Sequence, residues 1–120
     1  MQVLIVESRE DLAESWAAPL RAAGCIVHLT RSQEAAVLVL VRQRIEVVML
    51  DLMLQEGSPL AVADFAGFRQ PWAKVVFLTD SAVFSDGSIF SLCANACAFL
   101  RTATPAQDLA AIVEHYGAAA

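Results

Sequence analysis

The chain has 120 residues, of which 58% are hydrophobic, and a formal net charge of −5 at pH 7. This length fits one domain over residues 1–120, and the hydrophobic content exceeds the ~45–50% of average globular chains, which excludes disorder. The acidic charge without a Lys/Arg cluster argues against nucleic-acid binding, and no apolar run reaches the ~20 residues of a membrane-spanning helix.

The cysteines and the amino terminus favour a reducing compartment. Cys25, Cys93 and Cys97 are odd in number and form no CxxC pair, which is typical of free thiols. Met1 leads directly into a strand, without a basic region or a cleavage site. We therefore expect a cytoplasmic location.

The first strand–helix unit opens with the apolar run at residues 2–6, which predicts a strand. A helical pattern follows and runs to Ala23. Ser8, with Asp11 three residues later, is typical of a variant capping box at the start of that helix. Pro19 lies inside the pattern and is expected to kink or shorten the helix.

The second unit comprises a strand at Cys25–Leu29 and a helix that ends near Arg44. Thr30 with Gln33 predicts another capping box. Residues 35–41 are apolar nearly all round the helix, which is unusual for a surface helix. The pattern leaves two interpretations open: the helix is deeply covered, or it offers an adhesive patch.

The third strand, Glu46–Leu50, is an almost continuous apolar run and is therefore expected to be buried on both faces. Asp51 follows at once. Burying an unpaired charge inside a sheet costs too much free energy. The carboxylate is therefore expected at the carboxyl end of the strand, where open α/β sheets place their sites.

The rest of the chain continues the alternation of strands and helices. Five such units predict an α/β sandwich of three layers with a parallel sheet and right-handed crossovers. The remaining predicted elements are a helix at Leu60–Phe68, a strand at Lys74–Leu78, a short helix at 86–94, a strand at Cys97–Leu100 and a helix at 104–116.

The five units, with VLIVE at the start and MLDLML in the middle, resemble the receiver domain of two-component response regulators. The resemblance implies a flavodoxin-like (βα)5 fold with strand order 2-1-3-4-5. It also implies a signalling domain rather than an enzyme, with a histidine kinase or a phosphotransfer protein as partner.

The resemblance assigns Asp51 as the phosphate acceptor and Glu7 as the first of two paired acids. Ser8 stands where the second acid usually is, and Met53 would supply a backbone carbonyl to a metal ion. The expected ion is Mg²⁺, bound weakly, because a neutral hydroxyl is a poorer ligand than a carboxylate. Asp80 would repel a phosphorylated Asp51 if it pointed inward.

The same resemblance places Thr79 at the hydroxyl that contacts the phosphoryl group and Phe99 at the aromatic switch position. Thr102 stands where receivers have a lysine, and it can donate only one neutral hydrogen bond, which is weaker than a charge-assisted one. Arg9 and Arg101 are candidates to replace the missing positive charge.

Two functions remain open at this point. In the first, phosphorylated Asp51 biases the face formed by the predicted helix 86–94, the fifth strand and the last helix, which could also form a homodimer. In the second, a degenerate receiver binds partners without phosphate, through residues 35–41 and the apolar cluster at 89–93. A flavodoxin-like carrier is disfavoured, since the ESRED segment after the first strand is acidic and lacks glycine.

Overall fold

The computed structural model describes residues 1–80 and 94–118. Within them, a five-stranded parallel sheet has the order β2-β1-β3-β4-β5, which confirms the predicted flavodoxin-like fold. The strands are β1 (Gln2–Val6), β2 (Ile26–Thr30), β3 (Val47–Asp51), β4 (Lys74–Thr79) and β5 (Ala96–Arg101). The helices are α1 (Glu10–Ala22), α2 (Gln33–Arg42), α3 (Pro59–Arg69) and α4 (Ala106–Ala118). Nearly all of the helix predicted at 86–94 lies outside the described residues.

Both faces of the sheet are covered, so its inner strands are apolar at almost every position. In β1, Val3 and Ile5 belong to the core cluster around Trp16 of α1. The alternate residues, Leu4 and Val6, belong to the cluster that also contains the buried residues of α2 and α3. β3 is buried along its whole length, which explains its unbroken apolar sequence.

The start of α1 differs from the prediction. The cap position is Arg9, without a side-chain hydrogen bond, so the capping box at Ser8 was wrong. Pro19 does not shorten the helix, which continues to Ala22 because Trp16 and Leu20 bury its inner face. Ala23 is the C-cap, and Gly24 follows it with a φ of +94°, a left-handed conformation that glycine adopts readily after a helix.

The N-cap of α2 lies two residues later than predicted, at Ser32 instead of Thr30. Ser32 is the cap, and its Oγ accepts a hydrogen bond from the Ala35 N–H at 3.1 Å. Thr30 is the last residue of β2, and its hydroxyl donates to the Ile5 carbonyl at 2.8 Å. Both Thr30 and Ser32 can accept from a helix N–H, so the sequence pattern alone could not separate them.

The apolar run on α2 is only partly covered. Ala36 and Leu40 are buried, whereas Leu38 and Val41 remain 48% and 46% exposed. On α3, the apolar residue Phe68 is 83% exposed. The helix buries Val62 and Ala66, and at 100° per residue Phe68 lies well away from that face. On α2, the exposure of Leu38 and Val41 favours the adhesive-patch interpretation for that part of the helix.

Two further expectations concern thiols and membranes. Cys25 and Cys97 are free, and burial raises the pKa of the Cys97 thiol to about 11. Cys93 lies outside the described residues. Among the helices of residues 1–80 and 94–118, none is both long and apolar enough to span a bilayer.

Gln70 is a buried polar residue that joins α2, β3 and α3, a role that no sequence pattern indicated. Its side-chain N–H groups donate to the carbonyls of Leu40 and Gln43, at 2.8 and 2.7 Å. Its side-chain oxygen accepts from the Ile45 N–H at 2.7 Å. One amide therefore satisfies three backbone groups at the turn between α2 and β3.

We expect Gln70→Ala to lower the free energy of unfolding by roughly 2–4 kcal/mol, because buried backbone groups that lose their partners cost ~1–3 kcal/mol each. Urea denaturation measures the change. The matched control is Gln107→Ala on the exposed side of α4, which should shift stability by less than about 0.5 kcal/mol. Equal effects of the two substitutions would contradict the role assigned to Gln70.

Candidate functional site

The carboxyl ends of β1, β3 and β4 bring polar residues together. Val6 pairs with Leu50, so the next residues along these strands, Glu7 and Asp51, lie beside each other. Asp51 is itself the last residue of β3, one residue further than the predicted strand end. The predicted juxtaposition of the two acids follows directly from the order and register of the parallel strands.

The two carboxyl groups form a buried pair. Each side chain is only 1% exposed. Asp51 Oδ1 accepts a hydrogen bond from the Met53 N–H at 2.7 Å, and Glu7 Oε1 accepts from the Arg9 N–H at 2.9 Å. Within the described residues, Glu7 Oε2 is buried and receives no hydrogen bond. An ionised Glu7 is therefore poorly compensated at that oxygen.

The environment of Glu7 favours its protonated form. Burial and the adjoining Asp51 carboxyl raise the Glu7 pKa from 4.5 to about 7, against the opposing effect of Arg9. A proton on Glu7 can be donated to Asp51, and this hydrogen bond relieves the repulsion between the two acids. Glu7 is therefore protonated at a higher pH than an exposed glutamate.

Arg9 provides the positive charge at this edge. Its Nε lies 3.4 Å from Glu7 Oε1, and its Nη2 lies 3.4 Å from Asp51 Oδ2. Its Nη1 lies 3.7 Å from the carboxylate of Asp80, which is 54% exposed. The sequence left open whether Asp80 points inward; its carboxylate is instead largely exposed and pairs with the guanidinium of Arg9.

The threonines at the edge are buried as well. Thr79 ends β4, and its carbonyl accepts a hydrogen bond from the Thr102 N–H at 3.0 Å. Phe99, on β5, is half-buried against the core cluster of α2 and α3. Arg101 donates to the backbone carbonyl of Asp80 at 3.3 Å, which leaves Arg9 as the arginine placed on the acid pair. The roles of Thr79, Thr102 and Phe99 stay predictions.

Ser8 has a contact that the sequence did not suggest. Its Oγ accepts a hydrogen bond from the backbone N–H of Gln55 at 2.9 Å. The hydroxyl thus joins the loop after β1 to the loop after β3. A cavity of about 290 Å³ opens beside it, lined by Ser8, Arg31, Gln55 and Glu56. Arg31 and Gln55 lie outside any motif, so no sequence signal pointed to them.

The donor atoms fit a hard divalent cation that keeps several waters. Glu7 and Asp51 supply two carboxylates, one with an orphaned oxygen, and one or two carboxylates suffice for Mg²⁺. Within residues 1–80 and 94–118 there is no set of three acidic, histidine or cysteine side chains for a metal. The backbone carbonyl of Met53 and the Ser8 hydroxyl remain predicted ligands.

In the wild type, the free energy of unfolding should fall as the pH rises through the range in which Glu7 loses its proton. Glu7→Gln should abolish this part of the pH dependence. Because the Glu7 pKa is raised from 4.5 to about 7, the folded state holds an extra proton between these values. The contribution of Glu7 to stability is therefore greatest below about pH 4.5, falls up to about pH 7 and stays low above it. The full difference is roughly 3 kcal/mol at most, since one pKa unit is ~1.4 kcal/mol.

Urea denaturation at several pH values measures this effect as the difference between wild type and Glu7→Gln. Glu10→Gln, an exposed acid in the first turn of α1, removes the same charge and should give a pH profile parallel to that of the wild type. A difference between wild type and Glu7→Gln that does not change with pH would contradict the assignment.

Comparisons with known proteins identify the fold from solved structures and not from sequence similarity. No family model matches the chain, and no curated protein is significantly similar to it. Solved structures, in contrast, match nearly all of it. A response regulator receiver domain protein (CheY-like) from Methanospirillum hungatei JF-1 is 20% identical with a TM-score of 0.86, over 98% of this chain and 93% of that one.

Two further solved structures agree. The N-terminal domain of a response regulator/sensory box/GGDEF 3-domain protein from Carboxydothermus hydrogenoformans is 24% identical with a TM-score of 0.83, over 98% and 94% of the two chains. A response regulator from Burkholderia pseudomallei, with a phosphorylated aspartic acid, calcium ion and citrate, is 19% identical with a TM-score of 0.83, over 98% and 68%. The chain therefore has the fold of response regulator receiver domains.

Proposed function

We propose that this domain is the receiver of a two-component pathway and accepts a phosphoryl group on Asp51 from a histidine kinase or a phosphotransfer protein. The observation that carries the proposal is the buried Glu7–Asp51 pair at the carboxyl edge of a receiver fold. The structure from Burkholderia pseudomallei, with the same fold, holds a phosphorylated aspartic acid and a calcium ion. That neighbour supports the same chemistry at this edge.

The contacts of Asp51 favour one of its oxygens as the nucleophile. The Met53 N–H holds Oδ1 at 2.7 Å, whereas Oδ2 faces the charged end of Arg9. Attack by Oδ2 on the phosphorus forms the acyl phosphate, and the donor leaves with the electron pair of the broken bond. A bound divalent cation would neutralise charge on the transferred group. Thr79, at the end of the next strand, supplies the hydroxyl that we expect to contact it.

Incubation with acetyl phosphate and Mg²⁺ should add the mass of one phosphoryl group to the wild-type chain. Asp51→Asn should abolish the gain, because an amide oxygen is not a comparable nucleophile. Intact-protein mass spectrometry measures both. The matched control is Asp11→Asn, which removes an exposed carboxylate in the first turn of α1 and should keep the labelling. An unlabelled wild type, under conditions that label an intact receiver, would refute the proposal.

A phosphate-independent binding module is the second candidate, and two observations favour it. Arg9 already compensates the acid pair, and Thr102 takes the place of the lysine expected there. In addition, Leu38 and Val41 leave an apolar patch open on α2. A cleft of about 330 Å³ adjoins Val41 and is lined by Leu40, Val41, Arg42, Gln43, Arg44, Arg69, Gln70 and Trp72.

If this second function holds, the domain self-associates through α2 whether or not Asp51 carries phosphate. Light scattering should then detect a complex that Asp51→Asn leaves intact and that the double variant Leu38→Ser/Val41→Ser weakens by about tenfold or more in Kd, because apolar burial drives the contact. Ile26→Ser, an exposed apolar residue on β2, is the control. A strict monomer with and without Mg²⁺ and phosphodonor would exclude self-association through this patch.

A further inference from the structure

The guanidinium of Arg9 contacts both carboxylates of the acid pair, in the position of a shared cation. Two nitrogens of its guanidinium each lie 3.4 Å from a carboxylate oxygen, one on Glu7 and one on Asp51. Both acids are almost fully buried, so solvent provides little compensation for them. The guanidinium is permanently charged and flat, and it therefore offsets one negative charge of the pair at any pH at which the protein folds.

We propose that Arg9 is a built-in counter-ion of the Glu7–Asp51 pair, which a divalent cation must displace, and that Asp80 holds the displaced guanidinium. The inference rests on the proposed function, because the cation is the one that phosphoryl transfer to Asp51 would use. It adds a competitor within the chain, in contact with the same carboxylates.

The two cations would compete for the same two carboxylates. The Met53 N–H donates to Asp51 Oδ1, and the other oxygen of this carboxylate, Oδ2, faces Arg9 Nη2. Glu7 Oε1 contacts Arg9 as well, while the buried Oε2 of the same carboxyl receives no hydrogen bond within the described residues. A divalent ion and a guanidinium held by the same two carboxylates would lie a few ångströms apart, and at that distance their repulsion is strong.

The side chain of Arg9 has a route out of the pair. Its backbone N–H is fixed to Glu7 at 2.9 Å, and α1 begins at the next residue, so the backbone stays in place. The side chain itself is 48% exposed, and its third contact is the exposed Asp80 carboxylate at 3.7 Å. Its contacts at 3.4 Å exceed the ~2.7–2.9 Å of strong charge-assisted hydrogen bonds. Rotation toward Asp80 therefore gives up only weak bonds.

Isothermal titration calorimetry with Mg²⁺ tests the inference, at about pH 8 so that a larger share of Glu7 is ionised. Arg9→Gln should lower the Kd for Mg²⁺ by about tenfold or more, and Arg9→Lys should bind less tightly than Arg9→Gln because it restores a positive charge. Asp80→Asn should raise the Kd by about two- to threefold, since the displaced guanidinium loses its outer partner. The control is Arg101→Gln, which removes an exposed arginine at the same edge. The Arg101 guanidinium donates to the backbone carbonyl of Asp80.

A second readout is the rise in melting temperature that Mg²⁺ produces, which should be larger for Arg9→Gln than for wild type or Arg101→Gln. An Arg9→Gln protein that binds Mg²⁺ no better than wild type, or no binding by either, overturns the inference. Labelling of Asp51 by acetyl phosphate is scored separately on the same proteins. Tighter Mg²⁺ binding without labelling supports the inference and refutes the proposed function. Labelling of Asp51 together with an unchanged Kd for Mg²⁺ in Arg9→Gln supports the proposed function and overturns the inference.

Discussion

Two carboxylates lie side by side because the strands that carry them are neighbours in register. β1 and β3 pair in parallel, and each ends at the same level with an acid that is almost completely buried. Such a pair is unfavourable unless a proton, a metal ion or a basic side chain compensates it. The raised pKa of Glu7, the guanidinium of Arg9 and the Met53 N–H on Asp51 are all responses to this one constraint.

This constraint also relates the two candidate functions. Receiver chemistry needs an acid pair that can take up a divalent cation, whereas a binding module needs only a stable edge. Arg9 stabilises the edge directly, as a binding module needs. Receiver chemistry is possible only if the Arg9 guanidinium can move away from the two carboxylates. Under the proposed function, the affinity for Mg²⁺ relative to this internal competitor would therefore decide how far the site is available for phosphoryl transfer.

The fold and the acid pair could be predicted from the sequence because both depend on strands. A strand buried on both faces leaves an unbroken apolar run, and a charged residue directly after it marks the strand end. Helix starts were less certain, since Thr30 and Ser32 are both capable caps and only the packed structure places one of them at the first turn. The exposure of Phe68 has no sequence signal, because hydrophobicity alone does not determine which face of α3 is buried. Gln70 left no pattern, as its three partners are backbone groups distant in sequence.

The hydroxyl of Ser8 changes the mechanics of the edge. By accepting from the Gln55 N–H, it acts as a strut between the segment that leads into α1 and the segment that follows Asp51. A carboxylate committed to a metal ion could not hold the two segments together in the same way. A displacement of the loop after Asp51 therefore either breaks this hydrogen bond or moves the beginning of α1 with it. Where the bond holds, a change at Asp51 reaches the first helix, on the side of the sheet away from α2 and α3.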